Sequence, residues 1–171
     1  MILHRSLMIL QIPLMDYLGC NFSLDSKMQL NKIKKTDFDF FKKINAQWGD
    51  MDGLRHINHT VYLKYFETSR IEYCATLGID INRWDTDESI ILASMKVDYH
   101  RQSSYPNEYD IGCRITRLGN KSFDIFNALF ETSHDDPVVT ATFTAVCFNY
   151  HSQKTIPVPS LVKNAYQPFE E

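Results

Sequence analysis

Several kinds of chemistry are excluded by what this chain lacks. Glycine is scarce, at 6 in 171 residues, and no G-x-G-x-x-G or P-loop occurs, so neither a dinucleotide turn nor a phosphate cradle is available. The histidines His4, His56, His59, His100, His134 and His151 form no HExxH set. The His56/His59 pair has no third ligand to support it, so no metal site is expected. Four cysteines, Cys20, Cys74, Cys113 and Cys147, are too scattered for a C-x-x-C pair. That speaks against a zinc knuckle or a disulfide framework and suits the reducing cytoplasm. Positive charge is not in excess: 18 basic and 21 acidic residues give a net charge of -3, and without an aromatic-basic RNA motif nucleic acid is not an expected partner. Long hydrophobic runs are missing too. The apolar stretch from Leu7 to Leu18 is broken by Gln11, Pro13 and Asp16, which makes it too short and too interrupted to span a bilayer. Asp16 also opposes a signal-peptide reading with cleavage near Leu18-Gly19-Cys20.

What remains is a chain 44% hydrophobic, long enough for one domain with a sizeable core and too short for two. Met28 reads as the natural start of that domain. Residues 1–27 are then a disordered or loosely docked extension, 28–160 the domain, and 161–171 a tail, with the exit after Ile156-Pro157-Val158-Pro159 extended.

The chain is organised around WGDMDGLRHINHTVYLKYFETSR, from Trp48 to Arg70. Tyr62, Phe66, Ser69, Tyr73 and Leu77 recur at spacings of three and four, and Leu63 and Cys74 widen the stripe, which predicts an amphipathic helix stopped at Gly78. Its start falls near Asn58 or Thr60, either of which can cap the first turn. The amides of His59, Thr60 and Val61 then have no partner inside the helix, and free amides there attract negative charge. Asp52 on the preceding loop would face the same small volume, pairing a base or nucleophile with an oxyanion site. Spacing alone favours a loop-capping Asp52 over a catalytic one.

Strand-like segments surround this element. Asp37 to Gln47 suits an opening strand. After Gly78 a polar connection with Trp84, Asp85, Asp87 and Glu88 reads as a surface loop or short helix. Met95, Val97 and Tyr99 then alternate with polar residues, as do Tyr109, Ile111, Cys113 and Ile115, so both read as half-buried strands. Gly119-Asn120 turns into a strand over 122–131, and His134-Asp135-Asp136-Pro137 into another over 138–150. The fold class is α+β, with an antiparallel sheet wrapped around one long helix.

At the central stretch the sequence resembles the hotdog-fold acyl-CoA thioesterases of the 4-hydroxybenzoyl-CoA thioesterase type, whose members carry something like WGDMDxxGHVNN followed by YLxYFE. Here Trp48, Gly49, Asp50, Met51, Asp52, His56, Ile57 and Asn58 match the loop, and Tyr62, Leu63, Tyr65, Phe66 and Glu67 the helix. Two positions depart: Arg55 stands where relatives have glycine, and His59 where they have a second asparagine. The resemblance implies a five- to six-stranded antiparallel sheet around the helix, and hydrolysis of a CoA thioester with no cofactor, coenzyme A being part of the substrate. It makes Asp52 the catalytic residue, with Asp50, His56, Asn58 and His59 supporting it. Glu67 is the helix carboxylate that a related branch uses; here its spacing to Arg70 suits an intrahelical ion pair. Arg101, Arg117, Lys121 and Ser122 are the candidate substrate contacts. The implied assembly is an edge-to-edge homodimer, or a dimer of dimers, with shared sites. Two other readings stand beside it: a dehydratase pairing His56 with Glu67, and an acyl-binding module without turnover.

Overall fold

Helix α1 runs from His59 to Thr76, and its ends show why it starts and stops there. The Asn58 side chain accepts from the amide of Thr60, a standard N-cap. At the other end Gly78 takes φ 75, and the Ile79 amide reaches back to the carbonyl of Cys74 at 3.0 Å. That is a Schellman stop, in a conformation that glycine adopts at little cost. Between them Tyr62, Phe66, Ser69 and Tyr73 are buried as their spacing predicts, and Val61 and Tyr65 widen the buried face. In the computed structural model residues 33–79 and 87–169 are described. The expectations about residues 1–27, Trp84 and Asp85 lie outside them.

The sheet comprises β1 (Phe40–Asn45), β2 (Glu88–Tyr99), β3 (Glu108–Leu118), β4 (Ser122–Glu131), β5 (Pro137–Asn149) and the short β6 (Lys154–Thr155). The strands pair antiparallel in the order β1-β3-β4-β5-β2, with β6 on β5. One long helix against six antiparallel strands is the α+β arrangement expected. Ile111 and Leu129, on β3 and β4, pack against Tyr65 and Phe66, as do Ala141 and Phe143 of β5. The far end of the helix is covered by a second cluster that includes Tyr73, Ile115, Phe123 and Val162. No helix among the described residues is long and apolar enough to cross a membrane.

Three expectations are corrected here. Glu88 belongs to a strand rather than to the polar connection. The alternation in β2 is real, since Met95 pairs with Phe143 and Val97 with Ala141, but the strand is mostly exposed rather than half-buried. It is the last in the sheet, and its inward-facing Leu92 and Met95 are 52% and 51% exposed. The chain after Pro159 is not a plain extended exit. It forms a short helix α2 (Ser160–Asn164), after which Tyr166 bridges Ile115 in parallel. Arg114 donates to the carbonyls of Asp37, Gln167 and Pro168 at 2.5, 2.8 and 2.8 Å and lies over the ring of Phe169.

Arg70 departs from its expected pairing as well. Its guanidinium stacks over Phe143, 3.6 Å from the ring centroid. Among the described residues no ion pair joins it to Glu67. Its Nη1 is buried with no acceptor among the described residues, and burial lowers its pKa.

Candidate active site

The loop ahead of α1 is shaped by two aspartates doing different work. Asp50 ends a 3₁₀ turn over Trp48–Asp50. Its Oδ2 accepts from the Gln47 amide at 2.6 Å and from the Tyr65 hydroxyl at 2.5 Å, and its carbonyl accepts from the Asn58 amide. This ties the loop's entrance to its exit and to the buried face of the helix. Burial, with Asp50 next in weight, pushes the Tyr65 phenol well above its ordinary pKa, so it stays a donor across the working pH range.

Asp52 closes the turn beyond. Its amide donates to the His56 carbonyl at 2.8 Å, and its Oδ1 accepts from the amides of Leu54 at 2.8 Å and His56 at 3.3 Å. Among the described residues Oδ2 takes no hydrogen bond. The turn forces Arg55 to φ 66, the left-handed region where an L side chain costs about 1 kcal/mol or more. That is the physical meaning of glycine at this position in the resembling family. The Ile57 amide then donates to the Ser103 carbonyl at 2.8 Å, joining the loop to the segment between β2 and β3.

Asp52 and His56 open on a cleft of about 1130 Å³ that also meets Trp48, Arg101, Tyr105 and Glu131. Trp48 is 74% exposed and meets Tyr105 edge to face. Of the candidate residues, Asp52, His56 and Arg101 are brought together here. Asn58, His59 and Glu67 do not line the cleft. The Asn58 carbonyl oxygen is taken up by the amide and hydroxyl of Thr60.

Of the amides at the helix start, Thr60 donates to the capping Asn58 side chain and Val61 to the Asn58 carbonyl at 2.9 Å, so neither of these two is left free for an oxyanion. The other substrate candidates lie elsewhere. Arg117 is held by both oxygens of Asp124 at 2.6 and 2.7 Å, and Lys121 reaches Thr155. They sit with Ser122 around the β3–β4 turn, roughly 30 Å of strand from the loop side. His56 and Glu67, the pair a dehydratase needs, are joined by no hydrogen bond among the described residues.

Glu131 was missed in the sequence, because nothing near it marks it. Its carboxylate accepts from Ser103 at 2.6 Å and from Arg101 at 2.7 Å. Those partners hold its pKa below the ordinary value against the opposing effect of burial, the largest single contribution. Tyr65 was visible as part of the matched motif, but its role as the anchor of Asp50 was not.

Comparison with known proteins agrees with this picture. A family model described as the thioesterase-like superfamily matches residues 46–166. A Bacillus subtilis (strain 168) protein named YsmA, itself uncharacterized, is 28% identical over 122 residues, 71% of this chain and 81% of that one. Among solved structures, the PA5185 protein of Pseudomonas aeruginosa superposes with a TM-score of 0.70 at 25% identity, covering 77% of this chain and 92% of that one. Slr0204, a 1,4-dihydroxy-2-naphthoyl-CoA thioesterase from Synechocystis, gives 0.66 at 14% identity over 74% of this chain and 93% of its own, a likeness of fold.

Proposed function

We propose, for a chain that belongs to the thioesterase-like superfamily and has its hotdog arrangement of sheet around helix, that it hydrolyses an acyl-CoA thioester to the free acid and CoA. The observation that carries this reading is the state of Asp52. One carboxylate oxygen is fixed by two loop amides, while the residue lines an open cleft with His56 and Arg101. A carboxylate held by one oxygen offers the other in a set direction. It attacks the thioester carbonyl or takes a proton from water that does. In either route water supplies the new acyl oxygen, the C–S bond breaks and the CoA sulfur leaves with a proton. The reaction calls for no metal or redox cofactor. A reducing compartment, the cytoplasm, suits the buried thiols Cys74, Cys113 and Cys147.

The same reading makes the partner a second copy of the chain. Among the described residues β2 pairs with β5 alone, and its inner face carries exposed Leu92, Met95 and Tyr99. An edge of this length with an apolar face is completed by another strand. Arg117, Lys121 and Ser122, distant from Asp52 of their own chain, can serve a site only across such an assembly.

The test is thiol release from short, medium, long and aromatic acyl-CoAs. Asp52→Ala should lower kcat by about a hundredfold or more, and Glu67→Gln should cost less. A Glu67→Gln variant that is dead beside an active Asp52→Ala would move the chemistry to the helix. Silence of the unaltered protein toward the whole panel would favour an acyl-binding module, in which Asp52 only caps its turn.

A further inference from the structure

The catalytic loop is pinned to its neighbours through a buried polar node on which the chemistry described so far does not draw. The Ser103 Oγ lies 2.6 Å from Glu131 Oε1, 2.7 Å from the Tyr109 hydroxyl and 3.2 Å from Asn107 Nδ2. A serine hydroxyl has one proton to give. Glu131 receives it, so Tyr109 and Asn107 must donate to Ser103, whose hydroxyl is then fully used. The second oxygen of Glu131 accepts from Arg101 at 2.7 Å and faces His134 Nδ1 at 3.2 Å. Both Ser103 and Glu131 are buried, at 6% and 7% exposure. A carboxylate at this position accepts from Ser103 and Arg101 together, one oxygen to each.

Two consequences reach the cleft. Ser103, fixed by its hydroxyl, presents the carbonyl that holds the Ile57 amide between His56 and Asn58. Arg101, which lines the same cleft as Asp52 and His56, is held there by Glu131, and its Nη2 is buried without an acceptor among the described residues. We infer that Glu131 is a positioning residue for the reaction: it sets Arg101 and, through Ser103, the backbone that follows His56, so that both face the thioester end of the substrate rather than its nucleotide. This rests on the thioesterase reading and deepens it, since it assigns Arg101 to the acyl-transfer end of the site and not to CoA phosphate.

Glu131→Gln is a sharp probe, because an amide has one acceptor. With its NH2 toward Arg101, donor meets donor; turned over, its NH2 faces Ser103 and the proton order of the node is broken. Ser103→Ala removes the centre of the node and leaves Arg101 and Glu131 paired. Each is assayed, once its unfolding midpoint shows it folded, on the best acyl-CoA of the panel and on the same acyl group carried by pantetheine. We expect kcat to fall about tenfold or more for Glu131→Gln on both substrates, and in the same direction for Ser103→Ala. KM should stay within about threefold. A defect seen with the CoA thioester and absent with the pantetheine thioester would overturn the inference and return Arg101 to the phosphates. So would unaltered kcat in both variants, or in Ser103→Ala alone if Glu131→Gln does not fold. If the unaltered protein turns over neither substrate, the thioesterase reading itself fails, and this inference with it. Variants unimpaired beside an active parent remove only the positioning role.

Discussion

The two edges of the sheet are finished in opposite ways. At the β1 edge, β1 covers β3 only from Glu108 to Cys113, and the chain's own end takes over beyond it: Tyr166 bridges Ile115 and Arg114 ties down three carbonyls. Phe38 lies so close over Gly112 that a Cβ there would come within 2.4 Å of the ring. At the β2 edge nothing in the described chain performs this service. In the twelve-residue strand Ile91, Leu92, Met95 and Tyr99 are exposed, and Arg70 is stacked on Phe143, the partner of Met95, with a buried N–H that has no acceptor among the described residues. At the first edge the terminal strand is short, and the chain's own tail covers the β3 residues it leaves. The other leaves a long strand with large apolar side chains exposed in the single chain.

The closed edge should yield the larger effect. Arg114→Ala strips a charged donor from the carbonyls of Asp37, Gln167 and Pro168 and removes the contact with Phe169. We expect about 3 kcal/mol of lost stability, read as a lower urea midpoint, with the state of association unchanged. Arg114→Lys should recover less than half, because an ammonium cannot reproduce the guanidinium fork. A cost under about 1 kcal/mol would mean the tail is not what closes this edge.

The open edge is tested by Met95→Lys. Since Met95 is half exposed in the single chain, its charge should hardly affect folding of the monomer. It should weaken self-association about a hundredfold, or about 2.7 kcal/mol. Sedimentation across micromolar concentrations reads this, and shows whether the unaltered protein stops at two chains or doubles to four. An unaltered protein that stays monomeric and fully active would erase the contrast between the edges.

The contrast also explains what could be read before the structure. The helix, its Asn58 cap and Gly78 stop, and the alternating strands were legible because each is encoded within a few residues. Asp50 and Asp52 were visible as a motif, though not that Asp50 anchors on Tyr65 while Asp52 closes its own turn. Arg70 was misread because the i,i+3 spacing to Glu67 is local, whereas the ring that captures it belongs to a strand more than seventy positions on. Arg114 gave no sign of its role, since its partners are backbone carbonyls, which carry no signature in sequence. The node around Glu131 escaped for a related reason: Arg101 and Ser103 meet Glu131 only once β4 pairs with β3 and sets Glu131 opposite Tyr109. Exposure of β2 could not be inferred either, because alternation fixes which face a residue takes and not whether anything covers it.

The smallest expected effect concerns how firmly the open strand is held to its one neighbour. His100 follows β2. Its amide donates to the Val138 carbonyl at 2.9 Å, and its ring Nε2 lies 2.8 Å from Thr140 Oγ1, so it ties the end of β2 to β5. Burial, outweighing the raising effect of Asp98, lowers its pKa from 6.5 to about 4. Between those values the unfolded chain binds a proton that the folded chain refuses, so stability falls as pH drops from 6.5 toward 4, with the full penalty present below the folded value. Since the ring is partly open to solvent, the penalty should be about 1 to 2 kcal/mol. Asp110, Asp124 and Glu131 are held below their ordinary values. Their contribution is present above the unfolded carboxylate pKa and is lost only as pH falls through the lower folded values, so it leaves the window above about 4 to His100. His100→Gln keeps a group that can bond Thr140 and cannot titrate. Its Tm should therefore decline less than that of the unaltered protein between pH 6.5 and 4. Parallel curves would show that the ring accepts its proton without strain, and that the last strand of the open edge is not fastened there by a neutral histidine.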